Sequence, residues 1–142
     1  MTREKKRRIH DLKDEVSDEE LKKVIADFLE MGYVENIFEM FKREPLYYDW
    51  VGEILDDERF AVRLGVSVLF EELKFHHPQD LSLAIPSLLK ALASGPPHVR
   101  GEAVSVLGII GTAEALAGVR RALDDASPQV VEIVKDVLEE FA

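Results

Sequence analysis

Between Leu46 and the C-terminus the same apolar positions return three times, a pattern that restricts the chain to stacked repeating units. With Leu55, Leu92 and Leu123 as origins, the seventh residue onward is Val62, Val99 and Val130, and the eighth is Arg63, Arg100 and Val131. Further along the same unit come Val66, Ala103 and Val134, then Leu69, Val106 and Val137. Phe70, Leu107 and Leu138 follow, and Leu73, Ile110 and Phe141 close the series. Arginine site apart, these positions are apolar and share one helical face. The origins lie 37 and 31 residues apart, which suits two helices per unit with loops of variable length. One helix pair cannot bury its own stripe, so the repeated positions are expected to face a core shared with the next pair.

Local signals predict helices throughout. Ser17 and Glu20 have capping-box spacing, ahead of a stripe of Leu21, Val24, Ile25, Phe28 and Leu29. Gly32 suits the left-handed position after that helix. A second stripe, Val34, Ile37, Phe38 and Phe41, stops before Pro45, and a third runs through Leu46, Trp50, Val51, Ile54 and Leu55. Gly111 closes the second helix of the middle unit, Thr112 is placed to cap the next, and Ser127-Pro128 reads as an N-cap with proline at N1. Pro86 requires a helix start at Leu83 or later, because proline is harmless only in a first turn. No alternating strand run with a hairpin dipeptide competes. The chain is expected to be all-α. Residues 1–16 form a basic arm, 17–44 a divergent N-terminal pair, and 46–77, 80–111 and 112–142 three repeats.

Composition narrows the functional classes. The chain has 142 residues and no cysteine, which excludes disulfides, thiolate metal sites and a cysteine nucleophile. The uncharged stretch Ala103–Ala113 is too short to span a bilayer, and no secretory segment opens the chain, so a cytoplasmic location and no membrane contact are expected. Residues 1–14 carry six basic and three acidic side chains, or +3, which leaves −13 for the rest of a chain of net charge −10. An acidic body repels phosphate backbones, so nucleic acid is not expected as a partner. The basic run from Arg3 to Arg8 lacks interleaved aromatics and reads as a solvated end.

The segments ILDDERFAVRLGVSVLFEEL, LLKALASGPPHVRGEAVSVLGIIG and ALDDASPQVVEIVKDVLEEF resemble the HEAT repeat, particularly its short form in the phycobilisome-lyase-like group. The resemblance covers residues 46–142, and the Val-Arg pairs Val62-Arg63 and Val99-Arg100 are its more specific marks. Val131 departs from the pattern where arginine is expected, as suits a terminal unit. The resemblance implies an α-α superhelix, a solenoid of antiparallel helix pairs whose second helices line the concave side. It implies that Arg63 and Arg100 are structural, each pairing with a turn aspartate, with Asp57 and Asp125 available. It also implies a non-enzymatic protein-binding scaffold or adaptor that needs no cofactor. An accessory role in cofactor attachment, as in the lyase-like relatives, is the alternative. A DNA-glycosylase role, which relies on a basic concave face in HEAT-like relatives, ranks below both.

Once the core positions are removed, Glu71, Glu72, Glu102, Glu132, Asp136, Glu139 and Glu140 remain on the second helices, opposed by Lys74 and Lys135. Such a face is either ordinary solvated surface or a groove that attracts a basic segment of another protein. The stretch LYYDW holds two of the three tyrosines and the only tryptophan. Packing between the first two units accounts for most of it, whereas Tyr48, at the edge of the stripe, is the candidate contact residue for a partner or weak homodimer. His76, His77, Asp80 and Glu72 invite a metal reading, but adjacent histidines diverge on a regular element, so no metal is expected. No phosphate loop, nucleophile elbow or zinc motif is present, and no feature selects a catalytic carboxylate pair.

Overall fold

The computed structural model describes residues 16–142; the basic run at the start of the sequence lies outside the described residues. Helix α1 (Asp18–Glu30) begins where the Ser17 hydroxyl accepts the Glu20 N–H at 3.1 Å. Asp18, Glu19 and Glu20 fill its first turn, where the helix dipole favours negative charge. Gly32, at φ 85°, turns the chain into α2 (Val34–Arg43). A 3₁₀ segment, Pro45–Trp50, leads into the short α3 (Val51–Leu55), and α4 (Phe60–His76) follows. A second 3₁₀ segment, Pro78–Ala84, precedes α5 (Ile85–Ser94), which places Pro86 in the first turn. Then come α6 (Pro97–Ile110), α7 (Ala113–Arg121) with its 3₁₀ extension Ala122–Asp124, and α8 (Pro128–Glu140). Gly111 takes φ 69°, and Thr112 and Ser127 cap α7 and α8 through the N–H groups of Ala115 and Val130. The described residues contain no strand.

The helices pair and stack in chain order. Each odd-numbered helix packs on the even-numbered helix that follows it. The even-numbered, or second, helices touch one another in sequence, α2 on α4, α4 on α6 and α6 on α8, and the first helices do the same. Among the described residues, the first and last pairs share no substantial contact. That is an open stack, an all-α helical-repeat solenoid, and not a closed bundle.

Its core is the repeated set of positions. Val62, Val66, Leu69, Phe70 and Leu73 are buried on α4, as are Val99, Ala103, Val106, Leu107 and Ile110 on α6. The last unit departs from this. Val130 and Val134 are buried, but Val137 and Leu138 are only half-buried and Phe141 is 44% exposed. Between α3 and α5 the backbones come close enough for the Gly52 N–H to donate to Ser87 Oγ at 2.6 Å, and a Cβ at Gly52 would run into the Ser87 carbonyl.

The aromatic stretch corrects two expectations. Residues 45–50 form a 3₁₀ turn and not an α-helix, which changes the angular step from about 100° to about 120° per residue. Tyr47 then stacks under Trp50 and Tyr48 under Val51, so both ridges point inward while Leu46 and Asp49 face out. Tyr48 is therefore no contact residue: it is 0% exposed and packs edge-on against Phe41 at 5.0 Å and Phe70 at 6.1 Å. Its hydroxyl is buried without a hydrogen-bond partner among the described residues, and burial, reinforced by the Asp80 charge, pushes the phenol well above its ordinary range. An unpartnered buried hydroxyl costs about 1–3 kcal/mol. Tyr48→Phe is accordingly expected to hold or raise the melting temperature, whereas Tyr48→Ala loses about 3–5 kcal/mol in urea unfolding through the cavity it leaves. A clear loss of stability in the phenylalanine variant would contradict this reading.

Candidate functional site: the second-helix face

Two hollows open on the second helices, one on each side of α4. The larger, about 730 Å³, lies between the start of α2 and the C-terminal half of α4 and is lined by Tyr33, Glu35, Phe38, Glu39, Val68, Glu72 and His76. The smaller, about 360 Å³, lies between the N-terminal turns of α4, α6 and α8 and is lined by Phe60, Arg63, His98, Gly101, Glu102 and Ile133 among others. Phe60, Leu64 and Val68 run between them at helical spacing and are 63%, 48% and 43% exposed. Helix α4 thus carries two apolar stripes: one buried in the stack, the other open to solvent.

The carboxylates expected on this face divide. Glu72 lines the larger hollow and Glu102 the smaller, joined by Glu35 and Glu39 of α2. Glu71, Glu132, Asp136 and Glu139 are exposed on α4 and α8 but line neither hollow. Glu102 is half-buried, and desolvation pushes its carboxyl above the ordinary range, with the charges of Arg63 and His98 opposing the shift. The open stripe escapes a reading that filters the second helices for charge; the signal was the i, i+4, i+8 spacing of Phe60, Leu64 and Val68.

The repeated arginines are not equivalent. Arg100 donates from Nε and Nη2 to the two oxygens of Asp125 at 2.9 and 2.8 Å, and from Nη1 to the Gly95 carbonyl at 2.9 Å. This bidentate pair ties the turn of one unit to the turn of the next. Arg63 does not bond the Asp57 carboxylate; its Nη1 donates to the backbone carbonyls of Asp57 and Glu58 at 2.7 and 3.1 Å. The Asp57 carboxylate is instead held by Arg59, whose Nη1 also reaches Asp27 and Glu30 of α1, both at 2.8 Å. Arg59 was invisible to a repeat alignment because it lies off the repeated arginine position and draws two of its three carboxylate partners from the non-repeating first pair.

The two histidines diverge. His76 Nε2 lies 3.7 Å from Glu72 with its ring edge-on to Phe38, whereas His77 Nε2 lies 3.2 Å from Asp80. Among the described residues no three metal-ligating side chains converge.

Hydrogen bonds from the Arg100 guanidinium hold the Asp125 carboxyl below the usual carboxylate range. A carboxyl depressed in the folded state stabilises above its unfolded value, about 3.9, and that contribution is lost as pH falls through the folded value. Asp125→Asn should therefore lower stability at neutral pH and flatten the acid limb below about pH 4 in urea unfolding at stepped pH. Parallel wild-type and variant curves would remove the assignment.

A family model described as HEAT repeats matches residues 48–138. No curated protein and no solved structure matches the chain. No helix among the described residues is long and apolar enough to cross a membrane. The matched span is well over half of the chain and coincides with the stacked pairs that share a repeated core, so the chain belongs to the HEAT-repeat family.

Proposed function

We propose that this protein is a non-enzymatic scaffold that docks a basic, amphipathic segment of another protein across its second helices. The observation that carries the reading is the exposed stripe of Phe60, Leu64 and Val68, bordered by Glu35, Glu39 and Glu72 on one side and Glu102 on the other. Apolar side chains at contact surfaces supply affinity, and a border of one charge sign selects the partner and speeds encounter. HEAT repeats commonly serve as protein-interaction scaffolds, which agrees with this arrangement. The same carboxylates disfavour a phosphate backbone. The accessory role in cofactor attachment rests on the likeness of the three repeat segments to the short phycobilisome-lyase-like form.

A helical peptide library panned on the protein provides the test. The expected selection is Lys or Arg alternating with Leu, Ile or Phe at i, i+3 and i+4 spacing. Glu39→Lys and Glu72→Lys together should weaken the selected peptides at least about tenfold, and the effect should shrink in high salt. Leu64→Asp alone should weaken them comparably without lowering the melting temperature, because Leu64 is half-exposed. Selection of acidic peptides, or affinities unchanged by both variants, would overturn the reading.

A further inference from the structure

The repeat supplies an internal standard for Arg63. At the matching position of the next unit, the Arg100 guanidinium spends Nε and Nη2 on Asp125 and one Nη1 N–H on a carbonyl of its own turn. Arg63 makes the carbonyl contacts, from Nη1 to Asp57 and Glu58, but no carboxylate lies within ion-pair distance among the described residues. The cause is in the sequence. Asp125 occupies the turn position that in the middle unit is Ser94, and the Ser94 hydroxyl turns back to the Lys90 carbonyl at 2.8 Å. The supporting contact is missing as well: Asp125 is held by the Ser127 N–H at 2.8 Å, and the matching residue in the middle turn is Pro96, which has no N–H. Nε and Nη2 of Arg63 therefore keep three N–H groups in a fixed fork with no acceptor among the described residues.

Arg63 lines the smaller hollow. The guanidinium carbon sits 5.7 Å from the centre of the Phe60 ring, which braces it, and His98 borders the same space. Beside it the lining turns apolar, with Gly101 and Ile133, and a Cβ at position 101 would come within 2.8 Å of Ile133 Cδ1. Glu102 lines the same hollow but forms no ion pair with Arg63, so the fork is left to an incoming carboxylate, with an adjoining site for a single apolar side chain. A C-terminal residue brings both on one α-carbon. The larger hollow, with Glu35, Glu39 and Glu72, offers the opposite charge at the other side of α4.

We infer that Arg63 receives the terminal carboxylate of the docked segment, so that the partner is read as a basic C-terminal tail ending in an apolar residue. This rests on the docking reading above and adds its polarity: the free carboxylate lies over the α4–α6–α8 hollow and the preceding cations lie towards α2. An internal acidic side chain would bring the carboxylate without the end of the chain, and the test separates the two.

The probes are arrayed twelve-residue peptides of Lys, Arg, Leu and Ile, each made as the free acid and as the C-terminal amide. Wild-type protein should bind the best free acids about tenfold more tightly than their amides, the scale of one charge-assisted bidentate contact. Arg63→Gln should erase that difference while leaving the amides' affinity in place. Because Arg63 also staples a turn, a second variant guards against a folding artefact. Ser94→Asp should supply the missing carboxylate from within the chain, raise the melting temperature and likewise erase the preference for the free acid. Equal binding of acid and amide forms to the wild type would overturn the inference while leaving the docking reading intact. Failure of every peptide would remove both. A preference for the free acid that survives in both variants would assign the carboxylate to another residue and also overturn it.

Discussion

The structure depends on one constraint: an apolar stripe on each second helix that its own partner helix cannot cover. Val66, Leu69 and Phe70 on α4 are buried because the pairs on either side contribute to the cover, and Val99, Ala103 and Leu107 repeat the arrangement on α6. Stability in such a stack is a sum of unit and neighbour terms, so its ends are its weakest parts. The half-buried Val137 and Leu138 and the exposed Phe141 are the least covered of the repeated apolar positions. At the other end the chain abandons the repeat, and the α1–α2 pair is held by aromatic packing around Phe41, Tyr47 and Tyr48 and by the Arg59 cluster.

Repetition also creates vacancies. A guanidinium at a fixed position meets a carboxylate only when the next turn supplies one. Arg100 meets Asp125; the turn before α6 supplies Ser94 and Pro96. Likewise, one face of each second helix is spent on the stack, and what occupies the opposite face is free to vary. Pro97, Gly101 and Ser105 stand at the α6 positions that match Phe60, Leu64 and Val68 of α4, so the exposed stripe belongs to α4 and is not repeated on α6. The functional reading comes from these departures, since the repeat itself specifies only the scaffold.

Much of the fold was legible in the sequence because it rests on local and periodic signals. The positive-φ glycines, the caps at Ser17, Thr112 and Ser127, and the buried register of α4 and α6 can all be read from residue type and spacing. Tyr48 was misplaced because its burial follows from a 3₁₀ turn, which a stripe compatible with an α-helix does not announce. The Asp57 partner was misassigned because Arg59, two residues on, takes its carboxylate, and Asp27 and Glu30, about thirty positions away on α1, help to hold that guanidinium there. On the face itself the carboxylates were visible, but the half-burial of Glu102 and its position beside Arg63 appear only when α4, α6 and α8 are brought together.

The central claim, that successive helix pairs pile up in order and leave their second helices in a row, is open to a direct distance measurement. The chain has no cysteine, so spin labels at Glu39→Cys, Glu72→Cys and Asp136→Cys, introduced two at a time, report single distances. Interaxial steps of about 9 Å place positions 39 and 136 about 25–30 Å apart, near three times the spacing of neighbouring second helices. A pulsed electron-spin distance for 39–136 well beyond that for 39–72 is the expected result. A 39–136 distance as short as the neighbour distance would mean that the helices close into a bundle, and the second-helix face would not exist as a surface.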